Sequence, residues 1–215
     1  MRHKLKLLHV DSAITGEQSV SRKLSAEVVE HLKADSPDLE VIYRDLVAAP
    51  LGHLTLGDMP APGESSPVLD QFLTADIVVI GAPMYNFTVP SQLKAWIDRI
   101  LIAGRTFRYG EAGPVGLAGD KRVIVALSRG GLYSEGDRMR AFEHAETYLT
   151  IVLGFIGITP EFVIAEGLLL GDEQRATAVA RTKRSVAALS PLRSHCPDAP
   201  KQATRLPFAA RPSGV

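Results

Sequence analysis

GAPMYNFTVPSQLKAWIDRIL, Gly81 to Leu101, is the stretch whose reading decides the fold. Just upstream, Ile77-Val78-Val79-Ile80 is an unbroken apolar run rich in β-branched residues, the pattern of a strand covered on both faces of a parallel sheet. Downstream the period changes. Pro90 suits the first turn of a helix, and Leu93, Trp96, Ile97, Ile100 and Leu101 recur at helical spacing on one face. Met84 to Val89 is therefore the loop leaving the carboxyl end of a strand, the edge at which open α/β sheets bind ligands. Spacing alone leaves two readings of Met84, Tyr85 and Phe87: a hydrophobic lid over the core, or a wall against a ligand. Asn86 favours the second, because an amide between two aromatics offers a donor and an acceptor to a flat heterocycle that the rings could flank.

The same alternation recurs along the chain. Lys4 to Val10 reads as a strand and Ser21 to Lys33 as a helix with Leu24, Val28 and Leu32 on one face. Leu39 to Leu46 is a second strand, less completely covered because apolar and polar residues mix along it. Val47 to Pro67 is rich in Pro, Gly and Ser, with a short helix expected near Val68 to Leu73. Beyond the opening stretch, Gly104 to Gly119 reads as a turn-rich connection and Arg122 to Leu127 as the fourth strand. Ala145, Tyr148, Leu149, Val152, Leu153 and Ile156 mark a helix, Glu161 to Ala165 a fifth strand and Glu173 to Leu189 a last helix. Five strand–helix alternations argue a parallel, doubly wound sheet. Residues 1–189 read as one domain, and 190–215, broken by Pro191, Pro197, Pro200, Pro207 and Pro212, as a disordered tail.

Composition narrows the function classes. At 215 residues the chain suits one well-buried domain, and 46% hydrophobic with 22% charged residues is ordinary for a globular protein. The 24 basic and 24 acidic residues cancel, so no global field recruits nucleic acid or an anionic membrane. Cys196 stands alone, which excludes an internal disulfide framework and suits a reducing compartment. The amino-terminal apolar run reaches Asp11-Ser12 too soon for a signal peptide, and no stretch is long enough to span a membrane. The expectation is a cytoplasmic protein.

Two further loops leave strand ends. The first holds Ser12, Thr15, Gly16, Ser19 and Ser21 and opens directly onto a helix, where orphan N–H groups and the helix dipole favour an anion such as phosphate. Simple N-capping by Ser19 or Ser21 is the alternative, although a cap requires fewer hydroxyls. The loop is neither GxGxxG nor GxxxxGK[ST], so a mononucleotide held by its phosphate fits better than a dinucleotide, flavin mononucleotide (FMN) being one such case. The second, Ser128-Arg129-Gly130-Gly131, has two glycines that let backbone amides approach a ligand and offset negative charge at the edge of a reduced flavin. The six histidines show no metal-ligand spacing, Glu143-His144 reads as a solvated helix face, and GxSxG is absent.

Together PMYNFTVPSQLKAWID, TFRY with its following glycine loop, SRGG, and YLTIVLGFIGI with AEG resemble the FMN-dependent NADH-azoreductases, also described as FMN-dependent NADH:quinone oxidoreductases, from about Leu5 to Leu189. The resemblance implies a flavodoxin-like three-layer α/β/α sandwich with a five-stranded parallel sheet in order 2-1-3-4-5, and a homodimer with FMN in a cleft at its interface. It implies electron transfer from NADH to FMN and on to a quinone, azo or nitroaromatic compound. By position, Ser12, Ser19, Val20 and Ser21 resemble the phosphate cradle, and Met84, Tyr85, Asn86 and Phe87 the isoalloxazine contact. Ser128, Arg129, Gly130 and Gly131 resemble the second flavin edge. Tyr109 and Phe155 resemble substrate-pocket residues supplied by the partner subunit, although spacing alone puts Phe155 in the core. Two departures stand out: about one extra residue between Ser12 and Ser19, and a shorter segment from Leu51 to Pro67. The rival is a flavodoxin-like electron carrier that does not oxidise NADH itself. A carrier docking on basic reductases would show an acidic surface, which the balanced charge does not supply.

Overall fold

The computed structural model describes residues 4–59, 66–111, 113–134 and 136–192. The proline-rich tail expected from residue 190 onward lies outside them beyond Leu192.

The strand expected at Ile77–Ile80 is the centre of the molecule. It runs as β3 from Ile77 to Pro83, fully buried, between β1 (Lys6–Asp11) and β6 (Arg122–Ser128), both parallel to it. Outside these lie β2 (Glu40–Asp45) and β7 (Glu161–Ala165), giving the order β2-β1-β3-β6-β7. β2 is an edge strand without a fully buried residue, as its mixed composition suggested. Numbers 4 and 5 belong to an element that the sequence reading passed over. Within the connection read as turn-rich, β4 (Phe107–Gly110) and β5 (Gly113–Gly116) form a separate antiparallel hairpin, so the expected 2-1-3-4-5 becomes 2-1-3-6-7 in chain numbering.

Strand alternation divides the core into two layers. Leu8, Val10, Val78, Ile80, Val123, Val125 and Leu127 face one side. There they meet α2 (Pro67–Thr74), α3 (Ser91–Ile100) and α4 (Ala145–Phe155) through Phe72, Trp96, Ile97, Leu149 and Leu153. Leu7, Ile77, Val79, Ile124, Ala126 and Val163 face the other side, covered by α1 (Val20–Asp35) and α5 (Asp172–Ala187) through Leu24, Val28, Leu32, Ala178 and Val186. Buried apolar faces on both sides of one parallel sheet make the α/β/α sandwich.

The hairpin docks on the carboxyl end of α4. The Ala118 amide donates to Ile156 O at 2.9 Å, and Gly116 lies so close to the next turn that a Cβ on it would stand 2.2 Å from Gly157 N. No helix among the described residues is long and apolar enough to cross a membrane.

Candidate functional site

The loops after β1, β3 and β6 leave neighbouring strands at the same edge, and hydrogen bonds tie them together. Ser12 Oγ donates to Gly81 O at 2.8 Å, the Met84 amide donates to Ser128 O at 2.8 Å, and the Ile14 amide donates to Tyr85 Oη at 3.2 Å. The last contact joins the serine-rich loop to the aromatic one.

In the first loop, residues Gly16–Gln18 form a 3₁₀ turn and Ser19 caps α1, its hydroxyl accepting from the Arg22 amide at 3.2 Å. Capping is thus one role that Ser19 fills. Its hydroxyl also lies 3.0 Å from Ser21 Oγ, while the Val20 and Ser21 amides fall in the first turn, where a helix supplies no acceptor. Beneath the loop is a polar network built on the buried His9, Asp11 and Ser25 and reached by the exposed Tyr43. Ser25 Oγ lies 2.9 Å from His9 Nε2 and donates to Asp11 Oδ1 at 2.8 Å, and Tyr43 Oη donates to Asp11 Oδ2 at 3.1 Å. Burial, followed by the charge of Asp11, pushes the Tyr43 phenol up to about 12. Hydrogen bonding from Arg22 holds the Asp45 carboxyl down at about 2, although burial opposes it.

The second loop is a tight turn. Tyr85 and Thr88 exchange both backbone hydrogen bonds, at 2.9 and 3.1 Å, and the residues between them, Asn86 and Phe87, have φ of 47° and 71°. Two positive φ values are the geometry of a type I′ turn, in which Asn is at ease and a bulky aromatic is strained. Such strain persists only where neighbours hold it. Here the His144 amide donates to Phe87 O at 2.9 Å, and the Phe87 ring packs 5.5 Å from that of Phe142.

This turn borders an open cavity of about 820 Å³, within the size range of small-molecule sites. Met84, Tyr85 and Asn86 line it with Ile14, Lys94 and Tyr148. Tyr148 sits on the apolar face of α4, and burial, with Asp98 adding to it, pushes its phenol up to about 12, so it remains a neutral donor at physiological pH. Helical spacing identified Tyr148 only as a core position. The signal that singles it out is a hydroxyl on an otherwise apolar stripe. Ser12, Ser19, Val20, Ser21, Phe87, the 128–131 loop, Tyr109 and Phe155 are not among the lining residues.

In the third loop the Arg129 side chain is buried among glutamates, with its Nε left without a hydrogen-bond partner among the described residues. It is 1% exposed, bonded through Nη2 to Glu146 and 3.2 Å from Glu143 Oε1, with Glu166 Oε2 3.6 Å from Nη1. The Gly130 and Gly131 carbonyls accept from the Leu169 and Gly167 amides at 2.9 and 2.8 Å. Glu143, expected on a solvated face, is buried. It accepts from the Ala145, Glu146 and Thr147 amides at 2.9, 2.7 and 3.0 Å, capping α4. Burial disfavours its charge, but those amides and Arg129 outweigh that and hold the carboxyl below its ordinary value.

Tyr109 and Phe155 both pack against Phe107, with ring centroids at 5.6 and 4.6 Å. Tyr109 is 76% exposed on the hairpin, and Phe155 is half-buried against the core at the end of α4.

The flavodoxin-like fold family matches residues 5–189. A protein of Gluconacetobacter diazotrophicus named FMN-dependent NADH:quinone oxidoreductase is 56% identical over 199 residues, 86% of this chain and 99% of its own. Among solved structures, an azoreductase from Bacillus anthracis is 32% identical with a TM-score of 0.75, covering 85% of this chain and 97% of that one. An FMN-dependent NADH-azoreductase of the same species, solved in complex with FMN, is 26% identical with a TM-score of 0.72 over 85% and 98%. The chain belongs to the flavodoxin-like fold family, within its FMN-dependent NADH:quinone oxidoreductases.

Proposed function

We propose that this protein is an FMN-dependent NADH:quinone oxidoreductase with azoreductase activity. The observation that carries the reading is the junction of three strand-end loops, in which the loop at the α1 amino terminus is bonded through Ile14 and Tyr85 to an aromatic-walled cavity. The donor set fits FMN. The Val20 and Ser21 amides, for which the helix supplies no acceptor, with the Ser12, Ser19 and Ser21 hydroxyls suit a phosphate, and Met84, Tyr85 and Asn86 on the cavity wall, with Phe87 next in the turn, suit a flat heterocycle.

FMN, when bound, would supply the redox chemistry between NADH and a quinone, azo or nitroaromatic compound. The chain's residues position it. The Asn86 amide would offer a donor and an acceptor to the ring edge, and the Gly130 and Gly131 amides would hold its other edge. The Tyr148 phenol supplies a neutral donor at the cavity wall. Arg129 would meet the cofactor through its place in this loop rather than through Nη2, which is held by Glu143 and Glu146.

A homodimer completes the site in this reading. Tyr109 is 76% exposed and does not line the cavity of its own chain, which supports a place for it in a partner subunit's site. Residues 1–189 form the working domain and the protein acts in the cytoplasm, where a lone Cys196 stays reduced. Purified protein reconstituted with FMN is expected to oxidise NADH with a simple benzoquinone. Failure to do so overturns the proposal, and rapid reduction by NADH alone separates it from an electron carrier.

A further inference from the structure

Arg22 stands in the first turn of α1, beside the loop assigned above to the phosphate, and a cation there invites the reading that it binds the anion directly. Its hydrogen bonds argue otherwise. A guanidinium has five N–H groups and no acceptor. Nε donates to Ala13 O at 3.2 Å, and Nη2 donates to the same carbonyl at 2.9 Å and to Asp45 Oδ1 at 2.8 Å. Nη1 donates to Asp45 Oδ2 at 2.8 Å and to Tyr43 Oη at 3.0 Å. All five donors are occupied. The charge is also neutralised, with Asp45 in bidentate contact and Asp11 Oδ2 3.8 Å away.

Asp45 is itself anchored. It closes β2, and its Oδ1 accepts from the Val47 and Ala48 amides at 2.9 and 3.3 Å. The guanidinium thus bridges a fixed carboxylate and one loop carbonyl. Because a trans peptide holds its C=O and N–H on opposite sides, fixing Ala13 O toward Arg22 aims the Ile14 N–H away from it, and that N–H donates to Tyr85 Oη at 3.2 Å. One peptide plane thereby sets the serine-rich loop and touches the aromatic turn.

We infer that Arg22 is a positioning residue, tethered by Asp45, that shapes the loop from Ser12 to Ser19 for a phosphate group without touching it. The attraction for the anion then comes from the α1 amides and dipole. The inference rests on the FMN reading of this loop, and its test separates the two.

The test measures dissociation constants of FMN and riboflavin, which differ only in the phosphate, for wild type, Arg22→Lys and Asp45→Ala. Circular dichroism confirms folding, and the ³¹P resonance of bound FMN reports the phosphate environment. Lysine is a point charge that cannot span both partners, so Arg22→Lys is expected to weaken FMN about tenfold or more, to change riboflavin less than about threefold and to shift the ³¹P signal. Asp45→Ala is expected to act in the same direction, since it releases the tether while leaving the cation. Were Arg22 a direct ligand, freeing it from Asp45 would strengthen FMN binding. A gain of FMN affinity in Asp45→Ala, or an unchanged FMN-to-riboflavin ratio in the folded variants, overturns the inference. A wild type that does not prefer FMN over riboflavin overturns the phosphate reading instead.

Discussion

Replacing Gly81 by Ala adds one methyl group at the point where β3 passes beneath the serine-rich loop. Gly81 pairs with Asp11 in the β1–β3 register, and a Cβ on it would stand 2.1 Å from Asp11 Oδ1, 3.3 Å from Asp11 Cγ and 3.0 Å from Ser25 Oγ. The carboxylate has little room to retreat. Asp11 is 3% exposed, Ser25 donates to its Oδ1 at 2.8 Å, Tyr43 donates to its Oδ2 at 3.1 Å, and His9 Nε2 lies 3.5 Å from the same oxygen. Overpacking of this kind costs about 1–3 kcal/mol, and a buried polar group robbed of its partner costs about another 1–3 kcal/mol. Against a total stability of about 5–15 kcal/mol that is a large loss, and at roughly 2–4 °C per kcal/mol for a chain of this size Tm falls on the order of 10 °C. Thermal unfolding followed by circular dichroism measures it. A double-mutant cycle identifies the cause: in an Asp11→Ala background the 2.1 Å collision is gone and only the 3.0 Å approach of Ser25 Oγ remains, so Gly81→Ala is expected to cost at least about 1 kcal/mol less than in wild type. A fall in Tm below about 2 °C in the wild-type background, or additive costs in the cycle, refutes the reasoning.

Asn86→Ala is expected to weaken FMN retention or slow flavin reduction by NADH while far-UV circular dichroism stays unchanged; unaltered retention and rate together remove this loop from the mechanism. Gly116→Ala places a methyl 2.2 Å from the backbone of Gly157, which cannot rotate away. The hairpin carrying Tyr109 must shift, with a loss of about 1–3 kcal/mol in urea unfolding. For pH, the Asp45 carboxyl lies at about 2 in the folded protein against an ordinary 3.8, so its contribution is present above the unfolded value and is lost as pH falls through the folded one. Wild type is therefore expected to be more stable than Asp45→Asn at pH 5, with the difference shrinking between about pH 4 and pH 2. A difference that grows on acidification contradicts the assignment.

The elements legible in the sequence were those whose signal is local and periodic. The apolar run before Gly81 and the stripe from Leu93 to Ile100 place the central strand and α3 without reference to anything else in the chain. The hairpin escaped because strands of four residues bounded by glycines carry no alternation long enough to read, and its stability comes from docking on the α4 turn. Charge misled at Glu143. A glutamate is a residue type that solvent ordinarily keeps, and this one is buried because Arg129 and the first amides of α4 meet it there.

The same limit governs the site. Residue types at the strand ends pointed to a phosphate loop and an aromatic wall, but what sets their geometry lies at a distance: Ile14 to Tyr85 across 71 residues, Arg22 to Asp45 across 23. An arginine in the first turn of a helix, read alone, is a surface cation or an anion ligand. Only the partners of its five N–H groups convert it into a tether, and only the peptide it holds connects that tether to Tyr85. Local chemistry thus identifies which groups can meet a cofactor, and the buried partners behind them fix where those groups stand.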